Sequence, residues 1–297
     1  MRFKLDKRTL AFIFIFLIGL SILLYPLISS TWNQMLANRQ INHIDEVVSE
    51  MEPNQVDEVI QAAHDYNDNL LPQKVPDAFA IRENISDAEY EALLNVTGSG
   101  MMGYIQIPVL RVRSPIFHYT TEDVLQKGVG HLFGSSLPVG GKGSHTVLTA
   151  HRGLPSNKLF SDLDKIVKGD KFFITICDET FAYQVDQIQT VEPDQTDSLA
   201  LVDGKDYATL ITCTPYGVNT HRILVRGHRV PYVPGEEDKI NPRAWLNMNI
   251  MMGLVGALLG ILIALILVIR LRKRRNKDEG IEQEEDDGKG KNTIYIK

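Results

Sequence analysis

The chain has 297 residues and a formal net charge of −6, with 31 Lys and Arg against 37 Asp and Glu. That balance excludes the basic footprint a nucleic-acid partner demands, so no nucleic-acid role is expected. No His/Cys/Asp/Glu spacing suggests zinc and no acidic loop has calcium-ligand spacing, so neither a metal nor a cofactor is expected.

Residues 10–28 form an almost uninterrupted apolar run behind Arg2, Lys4, Lys7 and Arg8. At about 1.5 Å per residue the run is long enough to cross a bilayer core. It exceeds the apolar stretch of a signal peptide, and Ser29-Ser30-Thr31-Trp32 is a poor cleavage site, which favours an uncleaved anchor. A second uncharged run, residues 250–269, ends in the basic block 270–277. Because basic flanks stay on the cytoplasmic side, both termini are expected inside and residues 30–249 outside, a two-pass arrangement in the cell membrane. The tail beyond Lys277 carries Glu282, Glu284, Glu285, Asp286 and Asp287 without apolar periodicity and reads as solvated and disordered.

Between the anchors, residues 32–52 and 54–71 show helical spacing, the second segment burying Val56, Val59, Ile60 and Ala63. Pro72 and Pro76 interrupt it. A third, short helix is expected to open at Ser86, where Ser86-Asp-Ala-Glu89 has the form of a capping box ahead of Tyr90, Leu93 and Leu94. Residues 31–100 thus read as a helical collar.

From Gly103 the period drops to two, predicting strands over 104–108, 115–119, 146–150, 171–177, 181–185, 207–213 and 221–229, with Asp178-Glu-Thr180 joining two of them. One helix is predicted among them, from near Ser156 through Leu159, Phe160, Leu163 and Ile166 to Gly169. Many short strands with few helices point to a mainly β fold, a closed or nearly closed antiparallel barrel over 101–235, followed by a linker at 236–249.

The last two strands carry the chemistry. They bring Cys213 and Arg222 to facing ends of a tight connection. A thiol is a strong nucleophile only as thiolate, and a nearby guanidinium favours that anion and can hold an oxygen that gains charge. His151, after the apolar run 146–150 and before Arg152-Gly-Leu-Pro155, is the candidate base. Each residue has a plainer reading. Cys213 could be bridged to Cys177, the other cysteine; His151 could be one surface histidine among eight; Arg222 could lay its stem along the barrel wall. Cys177 closes an apolar strand and reads as a buried small hydrophobe, whereas Cys213 leads into the turn Thr214-Pro-Tyr-Gly217. His131 and His145 are placed in Gly-rich loops.

Leu148-Thr-Ala-His-Arg-Gly-Leu-Pro155 and the stretch from Leu210 to Arg229, with Thr212-Cys-Thr-Pro-Tyr-Gly217 and His221-Arg-Ile-Leu-Val-Arg-Gly-His-Arg229, closely resemble the histidine and cysteine-to-arginine signatures of sortases. The second, and Gly130-His-Leu-Phe-Gly-Ser-Ser-Leu-Pro138, are similar to the class C, pilus-building branch, as is a second anchor beyond the barrel. The resemblance covers residues 101–232. It implies an eight-stranded sortase barrel in which Cys213 is the nucleophile, His151 the general acid/base and Arg222 the substrate-aligning, oxyanion-stabilising residue. It also implies cleavage of an LPXTG-like sorting motif after threonine, a thioester acyl-enzyme, and transfer to a lysine amine of a pilin subunit. Class C members carry a lid with an Asp-Pro-aromatic tip, and Asp77-Ala-Phe79 is the nearest match. By resemblance Asp77 pairs with Arg222 and Phe79 covers the Cys213 thiol, with alanine in place of the ring-restricted proline. Two rivals remain open: a sortase that attaches surface proteins to cell-wall peptide, and a non-enzymatic two-anchor scaffold with a Cys177–Cys213 disulfide.

Overall fold

In the computed structural model the described residues are 7–70, 76–79 and 86–239, and in a second unit 253, 256–263 and 266–268. The second unit, residues 245–297, holds a short apolar helix at Gly256–Val268. The second anchor expected at 250–269 falls only partly on described residues, and the basic block and acidic tail lie outside them.

Helix α1 is continuous over Lys7–Glu50. The sequence pattern predicts two elements here, an anchor and a separate collar helix, with Ser29-Ser30-Thr31 between them. Those hydroxyls do not break the helix: Thr31 Oγ1 donates to Leu27 O four residues back at 2.8 Å, and Ser29 Oγ donates outside the helix to Pro155 O at 3.3 Å. Among the described residues α1 is the one helix long and apolar enough to cross a membrane, with a mean hydropathy of 2.3 over its most apolar window.

Helix α2 (Pro53–Asp68) opens with proline at its first position, where no N–H is needed, and the Gln55 side chain accepts from Glu52 N at 3.1 Å. It buries Val56, Ile60 and Ala63, one stripe at helical spacing. Helix α3 is a single turn, Ala88–Ala92. The cap expected at Ser86 is supplied instead by Asp87, whose carboxylate accepts from Tyr90 N at 3.0 Å, while Ser86 Oγ donates to Glu91. An aspartate carboxylate one residue closer to the free N–H groups is the stronger acceptor.

Eight strands follow: β1 (Met101–Ile107), β2 (Val112–His118), β3 (Val129–His131), β4 (Ser144–Thr149), β5 (Lys171–Ile176), β6 (Glu179–Val191), β7 (Asp206–Thr214) and β8 (His221–Val230). They close into a barrel in the order β1-β2-β3-β4-β7-β8-β6-β5. The barrel is not wholly antiparallel as expected: β2 pairs β3 and β4 pairs β7 in parallel. Parallel neighbours need a crossover, and α4 (Glu122–Lys127) provides the first. His131 and His145 are not loop residues; they lie in β3 and β4 and are buried. The β5–β6 turn is Cys177-Asp178, since Ile176 already pairs with Glu179.

The helix predicted from Ser156 is absent. Leu159, Phe160, Leu163 and Ile166 are buried as expected, but through successive turns with one three-residue 3₁₀ segment at Leu163–Lys165. Leu159 sits at φ 35°, outside the helical region, which interrupts the repeat.

Two apolar clusters result. The main one fills the barrel with residues such as Ile105, Leu148, Leu210 and Val225 and continues under the collar through Ile41, Ile60 and Tyr90. A smaller one lies on the outer wall and joins Ala78 to Leu132, Val147, Leu199, Ile211 and Leu224. The collar is fastened to the barrel by polar contacts as well. Asn67 exchanges two hydrogen bonds with the Leu137 backbone (3.1 and 2.7 Å), and the buried Tyr90 hydroxyl meets His131 Nδ1 at 2.7 Å.

Candidate active site

Strand alternation decides which side chains share a face. In β4, Leu148 and Ala150 point into the barrel core and Val147 into the outer cluster; in β7, Leu210 points in and Ile211 out; in β8, Ile223 and Val225 point in and Leu224 out. Continuing each alternation puts His151, Cys213 and Arg222 on the same outer wall.

The register brings them together along the chain direction too. Cys213 and Arg222 are direct cross-strand partners in the antiparallel β7–β8 ladder, an arrangement that sets Cβ atoms about 5 Å apart. On the other side, β4 and β7 run parallel with Thr149 opposite Ile211. The pairing extends past the strand: Ala150 N donates to Ile211 O at 3.2 Å and Thr212 Oγ1 donates to Ala150 O at 2.8 Å. His151 therefore leaves β4 beside Cys213. The loop behind His151 is tied to the turn behind Cys213: Arg152 Nη1 donates to Thr214 Oγ1 at 3.2 Å, and its other terminal nitrogen pairs with Asp164. Gly153, at φ +80°, lies so close to Tyr216 that a Cβ would sit 2.7 Å from its ring.

The segment 76–79 lies across this constellation. Asp77 receives Arg222 Nε (2.9 Å to Oδ1) and Nη2 (2.8 Å to Oδ2), and both side chains are largely buried. The remaining Arg222 terminal nitrogen donates to Asn219 O and His221 O. Ala78 is 2% exposed within the outer apolar cluster. The Phe79 ring stands 4.9 Å from the Arg222 guanidinium carbon and 5.9 Å from the His151 ring. In this arrangement Asp77 occupies the Nε–Nη2 fork of the guanidinium, so an incoming carbonyl oxygen must displace Asp77 to use that fork.

Burial pushes the Cys213 thiol above its ordinary range; Arg222 pulls it down and Asp77 pushes it up again. Cys213 is 9% exposed. Asp77 in place thus opposes formation of the Cys213 thiolate. Both cysteines are free. Cys177, in the β5–β6 turn, is raised to about 11, first by burial and then by Asp178 and Glu179, and among the described residues no cation offsets that shift.

Sequence reasoning missed Glu122. Its carboxylate oxygens lie 3.1 and 3.2 Å from His151 Nε2, and its own acidity is strengthened by the Gln126 side chain and by His151. No motif flags it, because the contact depends on where α4 is set down between β2 and β3. Among the described residues no group of His, Cys, Asp and Glu is arranged to hold a metal ion.

Residues 105–230 match the Sortase domain family. Sortase C of Streptococcus pneumoniae is 45% identical, with a TM-score of 0.62 over 66% of this chain and 98% of that one. Sortase C1 of Streptococcus agalactiae is 46% identical, with a TM-score of 0.59 over 66% and 100%. The chain belongs to the sortase family. Its structural neighbours set it in the class C branch, and its activity is that of a cysteine transpeptidase. A more distant relative, Sortase D of Bacillus subtilis, is 27% identical over 164 residues, 54% of this chain and 80% of that one.

Proposed function

We propose that this sortase is held to the membrane by α1, cleaves an LPXTG-like sorting motif after its threonine, and passes the acyl group to a lysine amine of a pilin subunit, so that pili polymerise. Cys213 is the nucleophile, His151 the general acid/base and Arg222 the residue that aligns the substrate and meets the developing oxyanion. The observation that carries this reading is the joint placement of an imidazole, a thiol and a guanidinium at three adjoining strand ends on one outer wall.

The chemistry follows from those positions. Once Asp77 is displaced, the Cys213 thiol gives its proton to His151, and the thiolate so formed attacks the threonyl carbonyl, whose oxygen gains negative charge next to the guanidinium. Protonated His151 gives its proton to the departing amine, leaving a thioester. Neutral His151 then takes a proton from the incoming lysine amine as that amine attacks, and the thiolate leaves. Asp77, Ala78 and Phe79 act as the lid tip, shutting the site until a sorting motif displaces Asp77 from Arg222.

Pilin as the substrate class is supported by the neighbours. The Streptococcus pneumoniae structure bears on pilin substrate specificity, and one sortase C1 neighbour belongs to a pilus island. The proposed topology places the collar (31–100) and barrel (101–235) outside the cell, with a linker (236–249), a second anchor (250–269) and a cytoplasmic tail (270–297) after them. The basic residues flanking both apolar runs support it. The scaffold alternative with a Cys177–Cys213 bridge is disfavoured, since both thiols are free and β8 and β6 lie between β7 and β5 in the barrel.

Full-length protein incubated with a pilin domain that carries a sorting motif tests the reading. A ladder of covalent multimers supports pilin polymerisation. A single conjugate, formed only with a cell-wall peptide mimic as acceptor, replaces it with wall anchoring.

A further inference from the structure

Helix α1 passes the end of its apolar run at Ile28 without a break, and over the next two turns its two sides differ. One side is locked to the barrel. Ser29 Oγ donates to Pro155 O at 3.3 Å, Asn33 Nδ2 to Ser156 O at 2.8 Å and Gln34 Nε2 to Arg113 O at 2.9 Å. Ala37, Ile41, Ile44 and Val48 then carry that side on as buried packing. The opposite side exposes Trp32 (58%), Met35 (46%) and Leu36 (41%), neighbours at three- and four-residue spacing. Exposed Arg39 follows, with Nη2 at 3.9 Å from Met35 Sδ, and beyond it that side is polar: Asn42, His43, Glu46 and Glu50.

The apolar surface on this side therefore outlasts the all-round apolar run by eight residues, about 12 Å of helix. A helix standing upright in the bilayer would lift Trp32, Met35 and Leu36 into water. A tilted helix keeps the same side at headgroup depth, and the order of residues suits that position: an amphipathic indole first, then apolar side chains, then an arginine whose stem can lie along them while its head reaches phosphate.

We propose that the Trp32–Met35–Leu36–Arg39 side of α1 is a lipid-binding surface that lies in the headgroup region and holds the barrel down against the membrane. The inference rests on the reading of residues 10–28 as a membrane span. Its consequence is positional. Pro155 and Ser156, four and five residues after His151, are bonded to the same two turns of α1, so the loop that leaves the histidine side of the active site is held against the segment of α1 that emerges from the lipid. Sorting motifs are then presented to the enzyme at headgroup height.

The test uses the full chain with Trp245→Phe, which leaves Trp32 as its one tryptophan, reconstituted in nanodiscs of phosphatidylcholine and phosphatidylglycerol. Acyl chains brominated near the carbonyl are expected to quench Trp32 more than chains brominated near the terminal methyl, and aqueous iodide is expected to quench it little. A second chain, with Ile22→Trp added to Trp32→Phe and Trp245→Phe, reports on the span and is expected to be quenched by the deep bromines. If Trp32 is open to iodide and untouched by brominated lipid while the tryptophan at 22 is quenched, the surface is refuted and the anchor stands. Shielding of Trp32 from both quenchers identifies a protein partner on this side and refutes the lipid surface. If brominated lipid quenches neither tryptophan, the span fails and the proposal falls with it.

Discussion

Asp77 and Arg222, 145 residues apart, meet through two parallel hydrogen bonds of 2.9 and 2.8 Å in a largely buried pair. A carboxylate in this position closes the site in two ways. It occupies the fork that an oxyanion needs, and its charge opposes ionisation of the neighbouring thiol.

Asp77→Asn is therefore expected to lower the pH at which Cys213 becomes reactive. Removing the carboxylate deletes an upward push on the thiol and leaves the downward pull of Arg222. A lower thiol pKa raises the thiolate fraction near neutral pH. The pH dependence of iodoacetamide labelling, mapped by mass spectrometry to Cys213 and not Cys177, measures the change.

Ala78→Leu separates packing from charge. Ala78 is buried in the outer cluster with Ile211 and Leu224, and a larger apolar side chain overfills that site, so the lid tip is lifted although Asp77 and the local charge are unchanged. Labelling of Cys213 is expected to speed up while the thermal midpoint of the barrel moves little. Unaltered labelling would place the control in the ion pair alone.

Glu122→Gln tests the carboxylate against His151. The pair is exposed on the glutamate side, so its contribution is that of a surface ion pair, and transpeptidation is expected to fall by up to about fivefold. The loss should appear in kcat, since the amide can still accept a hydrogen bond but places no negative charge beside His151. A change in KM alone would assign Glu122 to substrate binding.

Stability is expected to decline on mild acidification because of two histidines outside the site. Burial lowers His131 and His145 to about 4. Each is neutral with both ring nitrogens engaged: His131 with Tyr90 Oη and Ser136 O, His145 with Ala200 O and Thr209 Oγ1. In the unfolded chain they take protons below about 6.5, so the unfolded state binds more protons between those limits. This stabilisation is complete above about 6.5 and is lost as pH falls toward 4, at about 1 kcal/mol per pH unit for each histidine. Urea titrations at pH 7, 6 and 5 measure the slope, and His145→Gln should remove one histidine's share.

How much of this could be read along the chain depended on locality. Cys213 and Arg222 belong to one hairpin, so their apposition follows from a nine-residue separation and two alternating strands. The approach of His151 to Cys213 depends on β4 lying parallel beside β7, 62 residues later, and only the resemblance to a family pointed to it. The false helix after Ser156 shows the limit of periodicity: Leu159, Phe160, Leu163 and Ile166 have the spacing of a buried helical face, and burial is what the spacing delivered, without the helix. The continuity of α1 was hidden for the opposite reason, because three hydroxyl residues look like a break although Thr31 bonds the carbonyl four residues back and Ser29 bonds the barrel.

The most direct measurement is intact-mass and peptide mapping of the full chain after incubation with an LPXTG-type peptide and no amine acceptor. An acyl adduct is expected on Cys213, one that hydroxylamine releases, that Cys213→Ala abolishes and that Arg222→Ala greatly reduces. An adduct on Cys177, or cleavage of the peptide that proceeds unchanged in Cys213→Ala, would contradict it.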